Sequence, residues 1–215
     1  MPTTIDEVEA RVLGSLVEKQ LTTPEYYPLT LNALTAACNQ KSNREPVMAL
    51  GETEIMGAID RLRDKNLVYL FYGSGSRTVK YKHMLPNVFE LDEAGVAVMA
   101  LLLLRGPQTV GELRGRSDRL HEFGGLDEVQ ATLDELVDRN DPLITRLERA
   151  PGQKEARYAH LLCGPVDASS ASVERAAVTT GSNNKLGELE TEIESLRTAL
   201  TEFRAEFEEF KKQFD

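Results

Sequence analysis

The feature of this sequence that most constrains its fold is an internal repeat in the middle of the chain. The stretches EIMGAIDRLRDKN (residues 54–66) and EVQATLDELVDRN (residues 128–140) share the pattern E-[IV]-x-x-x-[IL]-D-x-L-x-D-x-N. In each copy, apolar residues fall at positions i, i+4 and i+7, which is the spacing of a helix with one buried face. Because self-similarity at a fixed period indicates repeated structural units, the sequence predicts two copies of one small domain.

The segments around each copy also correspond. Four segments that precede the copies are predicted to be helical: residues 9–19, 30–37, 93–106 and 109–115. The two shorter ones open with threonine, which is a favoured N-cap, and Thr4 with Glu7 predicts a capping box for the first helix. After the copies, residues 67–83 and 142–160 are each typical of two short strands around a turn.

Both halves therefore have the order helix, helix, helix, hairpin, which is that of the winged helix-turn-helix domain. Residues 26–29 (YYPL) are expected to add a short extra strand in the first half. The fold class predicted is mainly α with small β-hairpins, arranged as two tandem winged helix-turn-helix domains plus a C-terminal coiled-coil helix. The expected boundaries are residues 1–85 and 86–163 for the domains, 164–184 for a flexible linker and 185–215 for the helix.

The end of the chain has the regular pattern of a coiled coil. Apolar residues recur there at alternating intervals of three and four, which is the a/d seam of a heptad repeat. The seam residues are Leu186, Leu189, Ile193, Leu196, Leu200, Phe203, Phe207, Phe210 and Phe214. In a parallel pair, Glu192 would face Arg197 of the other chain, whereas an antiparallel pair would bring Arg197 near Arg204. The pattern predicts a parallel homodimer; the alternative is a helix that folds back onto its own winged helices.

A polar run, CNQKSNREPV (residues 38–47), separates the second and third helices of the first half. This run resembles a segment of the YceH-like family of uncharacterised bacterial proteins. The same resemblance is seen for residues 13–48 as a whole and for the hairpin start KNLVYLFYG (residues 65–73). The resemblance extends over about residues 5–163 and leaves the tail outside. It implies two winged helices, in agreement with the repeat, and it implies no activity.

Basic and amide side chains of the first half are candidates for contacts with DNA. In the polar run, Lys41, Asn43 and Arg44 are of the types that reach phosphates and base edges. The alternative is that the run is a long turn, with Arg44 paired to Glu45. The other candidates are Arg61, Lys65, Arg77, Lys80 and Lys82. The last three would form a basic wing that contacts phosphates, unless they only protect an exposed hairpin edge.

The acidic residues of the chain favour a second hypothesis. The net charge is -10, and it falls on the second half and the tail, because residues 1–84 are neutral; this disfavours strong nonspecific binding to DNA. Glu52 and Glu54 lie where a DNA-reading helix would contact bases, and the second copy of that helix is more acidic still. Residues 115–125 add arginines but are typical of a solvated loop. The alternative hypothesis is therefore a protein–protein adaptor that uses the acidic second domain and the coiled coil.

No sequence motif indicates catalysis. The chain has no HExxH, GxSxG, Walker loop or GxGxxG, and GSGS (residues 73–76) is explained by a hairpin turn. Cys38 and Cys163 have no partner at metal-binding spacing. We therefore expect a protein that is not an enzyme, without cofactor or metal. The N-terminus has no secretory signal, and no apolar run approaches the about 20 residues that a bilayer requires. The expected location is the cytoplasm, without membrane association.

Overall fold

The structure is a computed structural model that describes residues 4–73, 78–149 and 155–166. Over these residues the protein is mainly helical with small antiparallel β-hairpins, which confirms the coarse prediction from the sequence. The helices are α1 (Glu7–Thr22), α2 (Leu31–Cys38), α3 (Glu52–Asp64), α4 (Leu85–Phe89), α5 (Glu93–Arg105), α6 (Val110–Ser117) and α7 (Leu126–Val137). The strands β1 (Val68–Tyr72) and β2 (Val79–His83) form one hairpin, and β3 (Ile144–Arg146) and β4 (Tyr158–His160) form the other.

The order of these elements repeats along the chain. Helices α1, α2 and α3 precede the hairpin β1–β2, and helices α5, α6 and α7 precede the hairpin β3–β4. The repeated sequences at residues 54–66 and 128–140 largely coincide with α3 and α7. The short helix α4 lies between the two halves and was not anticipated. The division into two domains at residue 85 stays a prediction.

Each hairpin also pairs with one residue that precedes the second helix of its half. Leu29 bridges to Tyr81, and Gln108 bridges to Tyr158. The sequence analysis expected an extra strand at residues 26–29 in the first half alone. Instead, a single residue pairs in each half. In the first half, Pro24–Tyr26 form a turn of 3-10 helix, and Leu29 alone of residues 26–29 forms backbone hydrogen bonds with the hairpin.

The start of each second helix is set by the predicted threonine. The Thr30 hydroxyl accepts a hydrogen bond from the Ala33 amide at 3.3 Å. Thr109 accepts one from the Glu112 amide at 3.2 Å, and the Glu112 carboxylate accepts one in return from the Thr109 amide at 2.9 Å. These side chains satisfy amides that the first turn of a helix leaves unpaired.

The capping box of α1 lies two residues later than the sequence predicted. Asp6, rather than Thr4, accepts the hydrogen bond of the Glu9 amide at 2.8 Å, and Glu9 accepts that of the Asp6 amide at 2.6 Å. Both pairs fit the same sequence spacing. The carboxylate of Asp6 is the stronger choice because it also interacts favourably with the positive end of the helix.

Helix α5 is the centre of the core. All its residues from Ala94 to Leu104 are buried, and α1 packs against it. The approach is close at Gly14, where an added Cβ would lie 3.0 Å from both Leu103 Cβ and Leu104 Cγ. The Ile5 amide also donates to the Leu162 carbonyl at 2.7 Å, which joins the start of the first half to the end of the second. The chain up to Val166 thus forms one compact unit.

The segment between α6 and α7 differs from its prediction. Residues 115–117 belong to α6 rather than to a solvated loop. Phe123, four residues after Arg119, is only 1% exposed and belongs to the core. The local sequence is polar on average, so the burial of Phe123 becomes evident only from the packing of the surrounding helices.

Several expectations fall on residues outside the described ranges. These are the linker beyond residue 166, the coiled-coil helix with all its seam residues, and Arg77 at the turn of the first hairpin. Within the described ranges, no helix is both long and apolar enough to cross a membrane.

Candidate nucleic-acid interface

The exposed face of the first hairpin combines aromatic and basic side chains. In the register of β1 and β2, Tyr69 lies opposite Lys82 and Phe71 lies opposite Lys80. Directly opposed residues share one face of an antiparallel pair. Tyr69 and Phe71 are 48% and 44% exposed, which is unusual for large aromatic residues. Within the described ranges, neither lysine forms an ion pair, so this face presents apolar surface and uncompensated positive charge together.

The opposite face of the hairpin anchors it to the first half. Val68, Tyr81 and His83 are buried there. The His83 amide donates to the Tyr27 hydroxyl at 2.7 Å, and the Leu85 amide donates to His83 Nδ1 at 3.3 Å. Burial, with a smaller contribution from the charge of Lys82, lowers the pKa of His83 to about 4. The imidazole is therefore a neutral part of the core near pH 7.

Two of the sequence candidates, Arg61 and Lys65, are held by acidic residues at the start of α1. Arg61 Nη2 lies 2.7 Å from Asp6 Oδ2, and Lys65 Nζ lies 2.7 Å from Glu9 Oε1. The side chain of Glu9 is only 2% exposed, so its charge depends on these cations. Both residues therefore join α3 to α1, and their charges are largely compensated within the protein.

Arg44 is buried, and its guanidinium forms several hydrogen bonds within the protein. It makes a two-pronged ion pair with Glu18, with Nη1–Oε1 and Nη2–Oε2 distances of 3.0 and 2.6 Å. It also donates to the Ala37 carbonyl from Nε and Nη2. Burial would raise the pKa of Glu18, but the hydrogen bonds and charge of Arg44 hold it below its ordinary value. The local Arg44–Glu45 pair suggested by the sequence is therefore replaced by a pair with α1, and Arg44 is not available at the surface.

Other contacts hold the rest of the polar run. Arg11, only 2% exposed, donates to the Cys38 carbonyl at 3.2 Å and to the Pro46 carbonyl at 2.6 Å. The Asn39 side chain forms two hydrogen bonds with the backbone of Leu50, at 2.8 and 2.7 Å. The inward residues of the run thus satisfy buried backbone groups, as the long-turn hypothesis proposed.

The remaining candidates of the run face outwards. Lys41 and Asn43 are exposed, and Asn43 adopts the left-handed backbone conformation, at φ 60°, that asparagine tolerates better than most residues. Its Oδ1 accepts a hydrogen bond from Arg105 at the end of α5. Lys41 has no ion-pair or hydrogen-bond partner among the described residues.

The exposed side of α7 is acidic. It carries Asp127, Glu128, Asp134 and Glu135, and Asp138 follows its last residue; all five are exposed. Arg139, a basic residue just after the helix, forms no ion pair with these carboxylates among the described residues; it donates to the Phe89 carbonyl at 2.6 Å. This helix occupies the position in the second half that α3 occupies in the first, and its charge would repel phosphate.

The described residues contain no group of three or more His, Cys, Asp or Glu side chains that could hold a metal ion. Cys38 is buried and Cys163 is exposed, and both thiols are free. Burial raises the pKa of the Cys38 thiol to about 11. Partial desolvation of the Cys163 sulfur, together with the negative charges of Glu7, Asp6 and Glu9, raises the pKa of that thiol to about 11 as well, so neither is a reactive thiolate near pH 7.

Sequence reasoning missed Tyr69 and Phe71. The signal was present, since both alternate with Val68 and Leu70 along one strand. Period-2 alternation places such residues on the face opposite the buried ones. The register with Lys80 and Lys82 depends on the hairpin turn and could not be read from the strands alone.

The fold and the surface define a mainly helical protein with two similar halves, one of which has a basic aromatic hairpin. A family model described as "Protein of unknown function, DUF480" matches residues 5–153. A UPF0502 protein of Geotalea daltonii is 51% identical over 219 residues, with 100% of both chains covered. A UPF0502 protein of Pelobacter propionicus is 48% identical over 220 residues, with 98% of each covered. The chain belongs to this DUF480/UPF0502 family, with which the YceH-like resemblance is consistent.

These alignments also correct the extent of the resemblance. A third relative, a UPF0502 protein of Opitutus terrae, is 55% identical over 168 residues, which is 78% of this chain and 73% of that protein. The two alignments over 98% and 100% of the chain, by contrast, run through the tail that the sequence analysis had set outside. The tail is therefore shared with relatives.

Proposed function

We propose that each half of the chain is a winged helix-turn-helix domain and that the protein binds duplex DNA through the β1–β2 hairpin. The observation that carries this proposal is the hairpin face on which Tyr69 and Phe71 lie opposite Lys82 and Lys80. Lysines attract phosphates without reading sequence. Exposed aromatic rings beside them offer apolar surface to the sugar edge of the groove, and contacts to phosphate and sugar position a protein on the duplex.

The proposed interface is centred on the wing. From the sequence, Arg77 adds a third cation near the turn of the hairpin. Lys41 and Asn43 are exposed and remain secondary candidates. Arg61 and Lys65 would reach phosphate only by giving up carboxylate partners, and Arg44 is assigned a structural role because its guanidinium is buried. The role proposed is that of a binding protein, not an enzyme.

The test is binding of the intact protein to a labelled random-sequence duplex over a series of salt concentrations. With two or three phosphates contacted, log K should fall with log salt at a slope of about −2 to −3. Changing Lys80→Glu together with Lys82→Glu should abolish binding, because it reverses the charge of the face.

The matched control changes Arg146→Glu together with Arg149→Glu. Both arginines are exposed in the second half, so the control makes the same change in net charge on a different surface. It should bind the duplex within about threefold of the unmodified protein, since charge far from the contact is screened. No binding at low salt, or an equal loss in both variants, would refute the proposal.

We further propose that the protein forms a parallel homodimer in the cytoplasm through the heptad seam of residues 185–215. The support is the unbroken a/d spacing together with the g–e charge pairs. Dimerisation would place two wings on one duplex, and the linkage of two binding surfaces raises the overall affinity above that of either wing alone.

A second candidate function, a protein–protein adaptor, is favoured by the surface of α7. Its acidic side chains and the 55% exposed Leu126 at its start form a surface suited to a basic, partly apolar protein. The adaptor hypothesis predicts that the duplex does not bind at any salt concentration. The salt series therefore separates the two functions.

A further inference from the structure

A groove on the first 166 residues lies away from the hairpin that carries the function proposed above. It is lined by the C-terminal ends of α1 and α5, by residues 40–43 of the polar run, and by residues 115, 116 and 118–120 at the end of α6 and just after it. Its volume is about 700 Å³. Sites for small molecules commonly measure about 300–1,000 Å³, so the groove is large enough for one.

The lining of the groove is strongly basic. Its cations are Lys19, Lys41, Arg105, Arg116 and Arg119, and its carboxylates are Glu18 and Asp118. Both carboxylates are already engaged by arginines from outside the lining. Glu18 pairs with Arg44 at 2.6 Å and also with Lys19 of the lining at 3.3 Å, and Asp118 pairs with Arg114 at 2.5 Å. The positive charges are therefore compensated only in part.

Two of the groove's guanidinium groups, those of Arg105 and Arg119, lack an ion-pair partner among the described residues. Within the described ranges, Arg119 has no partner, and the one hydrogen bond of Arg105 goes to the neutral amide of Asn43. Arg116 donates to the Gln108 amide oxygen at 2.7 Å and also forms a longer ion pair with Glu112, at 3.6 Å. Burial and then the charge of Arg116 lower the pKa of Arg105, although the charges of Glu45 and Glu18 act in the opposite direction. An anion in the groove would offset the repulsion between Arg105 and Arg116.

The floor of the groove is apolar. Leu101 and Leu104, which line it, are only 5% and 2% exposed, and Leu120 beside them is half-buried. Basic side chains over an apolar floor match a ligand that has a charged end and an organic body. A convergence of several arginines and lysines is the common way in which proteins hold phosphate groups.

We propose that this groove binds a small organic phosphate that carries two or more negative charges. Lys41, Arg105, Arg116 and Arg119 hold the phosphates, and the leucines contact the organic part. Lys41, which faces outwards from the polar run, would thus bind phosphate, whereas the buried residues of the run stabilise the turn. None of these residues lies on the β1–β2 hairpin that carries the proposed DNA contact. Lys41 alone is also a secondary candidate for DNA contact, so the two sites can be tested separately.

The test uses isothermal titration calorimetry of the full chain with two probes, ATP and inorganic tripolyphosphate, at about 0.15 M salt, where weak surface attraction is screened. Both probes should bind with a stoichiometry of one per chain and should compete with each other. ATP should bind more tightly, because it alone has an organic part to cover the leucines.

Gly115 offers a substitution that probes the charge of the groove. It lines the groove, and an added Cβ there would meet no atom within 4 Å. Gly115→Glu should weaken both probes by about tenfold or more, because it adds a negative charge beside the bound phosphates. Gly115→Gln has the same size without the charge and should bind within about threefold of the unmodified protein. A second variant, Lys41→Ala with Arg119→Ala, removes two unpaired cations and should also lose about tenfold or more.

Each other outcome overturns a stated part of the proposal. If neither probe binds at millimolar concentration, the groove is not a phosphate site. If Gly115→Glu and Gly115→Gln bind equally, the probes bind elsewhere. If tripolyphosphate binds as tightly as ATP, the apolar floor contributes nothing and the organic class is wrong. Loss of DNA binding in the hairpin variant would affect none of these results.

Discussion

At the level of single side chains, the polar run of residues 38–47 divides into two parts with different roles. Asn39 and Arg44 point inwards and satisfy buried carbonyls and a buried carboxylate. Lys41 and Asn43 point outwards into solvent and line the groove. Residue type alone did not separate these pairs, because each contains one amide and one cation. The direction of each side chain depends on α1 and α5, which lie far away in the sequence.

Arg44→Ala should destabilise the protein by about 3 kcal/mol, because it leaves the buried carboxylate of Glu18 without its main partner. The free energy of unfolding can be measured by urea denaturation followed by circular dichroism. Lys41→Ala, three residues away in the same run and without a partner among the described residues, is the control. It should change stability by no more than about 0.5 kcal/mol.

A double-mutant cycle tests the cause of that loss. Glu18→Ala combined with Arg44→Ala should cost clearly less than the sum of the two single changes, since neither variant residue leaves a buried charge behind. Additive costs would mean that Arg44 acts through the Ala37 carbonyl rather than through Glu18.

Two histidines at the ends of equivalent strands make stability depend on pH. Burial lowers the pKa of His83 and of His160 to about 4, from an ordinary value of 6.5. Between these values the unfolded chain binds protons that the folded chain does not, so stability rises with pH across this window and is lost as pH falls. Each histidine contributes a slope of up to about 1.4 kcal/mol per pH unit.

Urea denaturation at several pH values between 6.5 and 4 measures this slope. His83→Asn should reduce it, because the amide does not titrate in this range. Tyr27→Phe removes the hydroxyl that accepts from the His83 amide but retains both imidazoles. It should lower stability at every pH without changing the slope. An unchanged slope in His83→Asn would show that other groups cause the pH dependence.

At the level of helices and strands, the main contact between the halves is α1 against α5. The close approach requires a residue without a side chain at position 14, since a Cβ there would lie 3.0 Å from Leu103 Cβ. Glycine in a helix otherwise costs about 0.5–1 kcal/mol relative to alanine. At Gly14 this cost is offset by the packing of α1 against α5, because the two helices could not otherwise pack at this distance.

The same substitution in two helices should therefore have opposite effects. Gly14→Ala should destabilise the protein by about 1–2 kcal/mol, because the added methyl overpacks the contact with α5. Gly115→Ala, on α6 with open space around it, should stabilise the protein by about 0.5–1 kcal/mol. Melting temperatures and urea midpoints of the two variants check this. A gain in stability for Gly14→Ala would mean that α1 and α5 can move apart easily.

Over the whole molecule, charge is divided between regions with different proposed roles. The first 84 residues are neutral but expose a local basic face on the hairpin, while the second half and the tail carry the net charge of -10. A protein of this charge should bind nucleic acid only where cations are concentrated, and therefore weakly at high salt.

The tail is predicted to determine the oligomeric state. The full chain should sediment as a dimer at micromolar concentration, because its a/d seam buries apolar residues only when two helices pair. A chain that ends at residue 184 should sediment as a monomer. Leu196→Asp within the full chain is a second test, since it places a charge in the seam without shortening the protein. A full chain that is monomeric at micromolar concentration would refute the predicted dimer.

Much of the fold could be predicted because its signals are local. Helical periodicity located α3 and α7 within two or three residues, and threonine N-caps located the starts of α2 and α6. The candidate site was predicted less well. Arg44, Arg61 and Lys65 looked available from their residue type, but each has a carboxylate partner on or beside α1, between 26 and 56 positions away in the sequence. Such pairs form only after helices that are distant in the sequence have packed.

The amino-acid sequence therefore specifies the kind and order of the elements, since apolar spacing and capping act within a few residues. It also specifies the family, through identity with relatives over the whole chain. Packing decides which charges are free. Arg44 is buried against α1, where its charge is paired within the protein. The register of β1 with β2, in contrast, brings Lys80 and Lys82 beside exposed aromatic rings. The ends of α1, α5 and α6 surround a groove. These arrangements depend on distances between remote segments, which no local pattern in the sequence encodes.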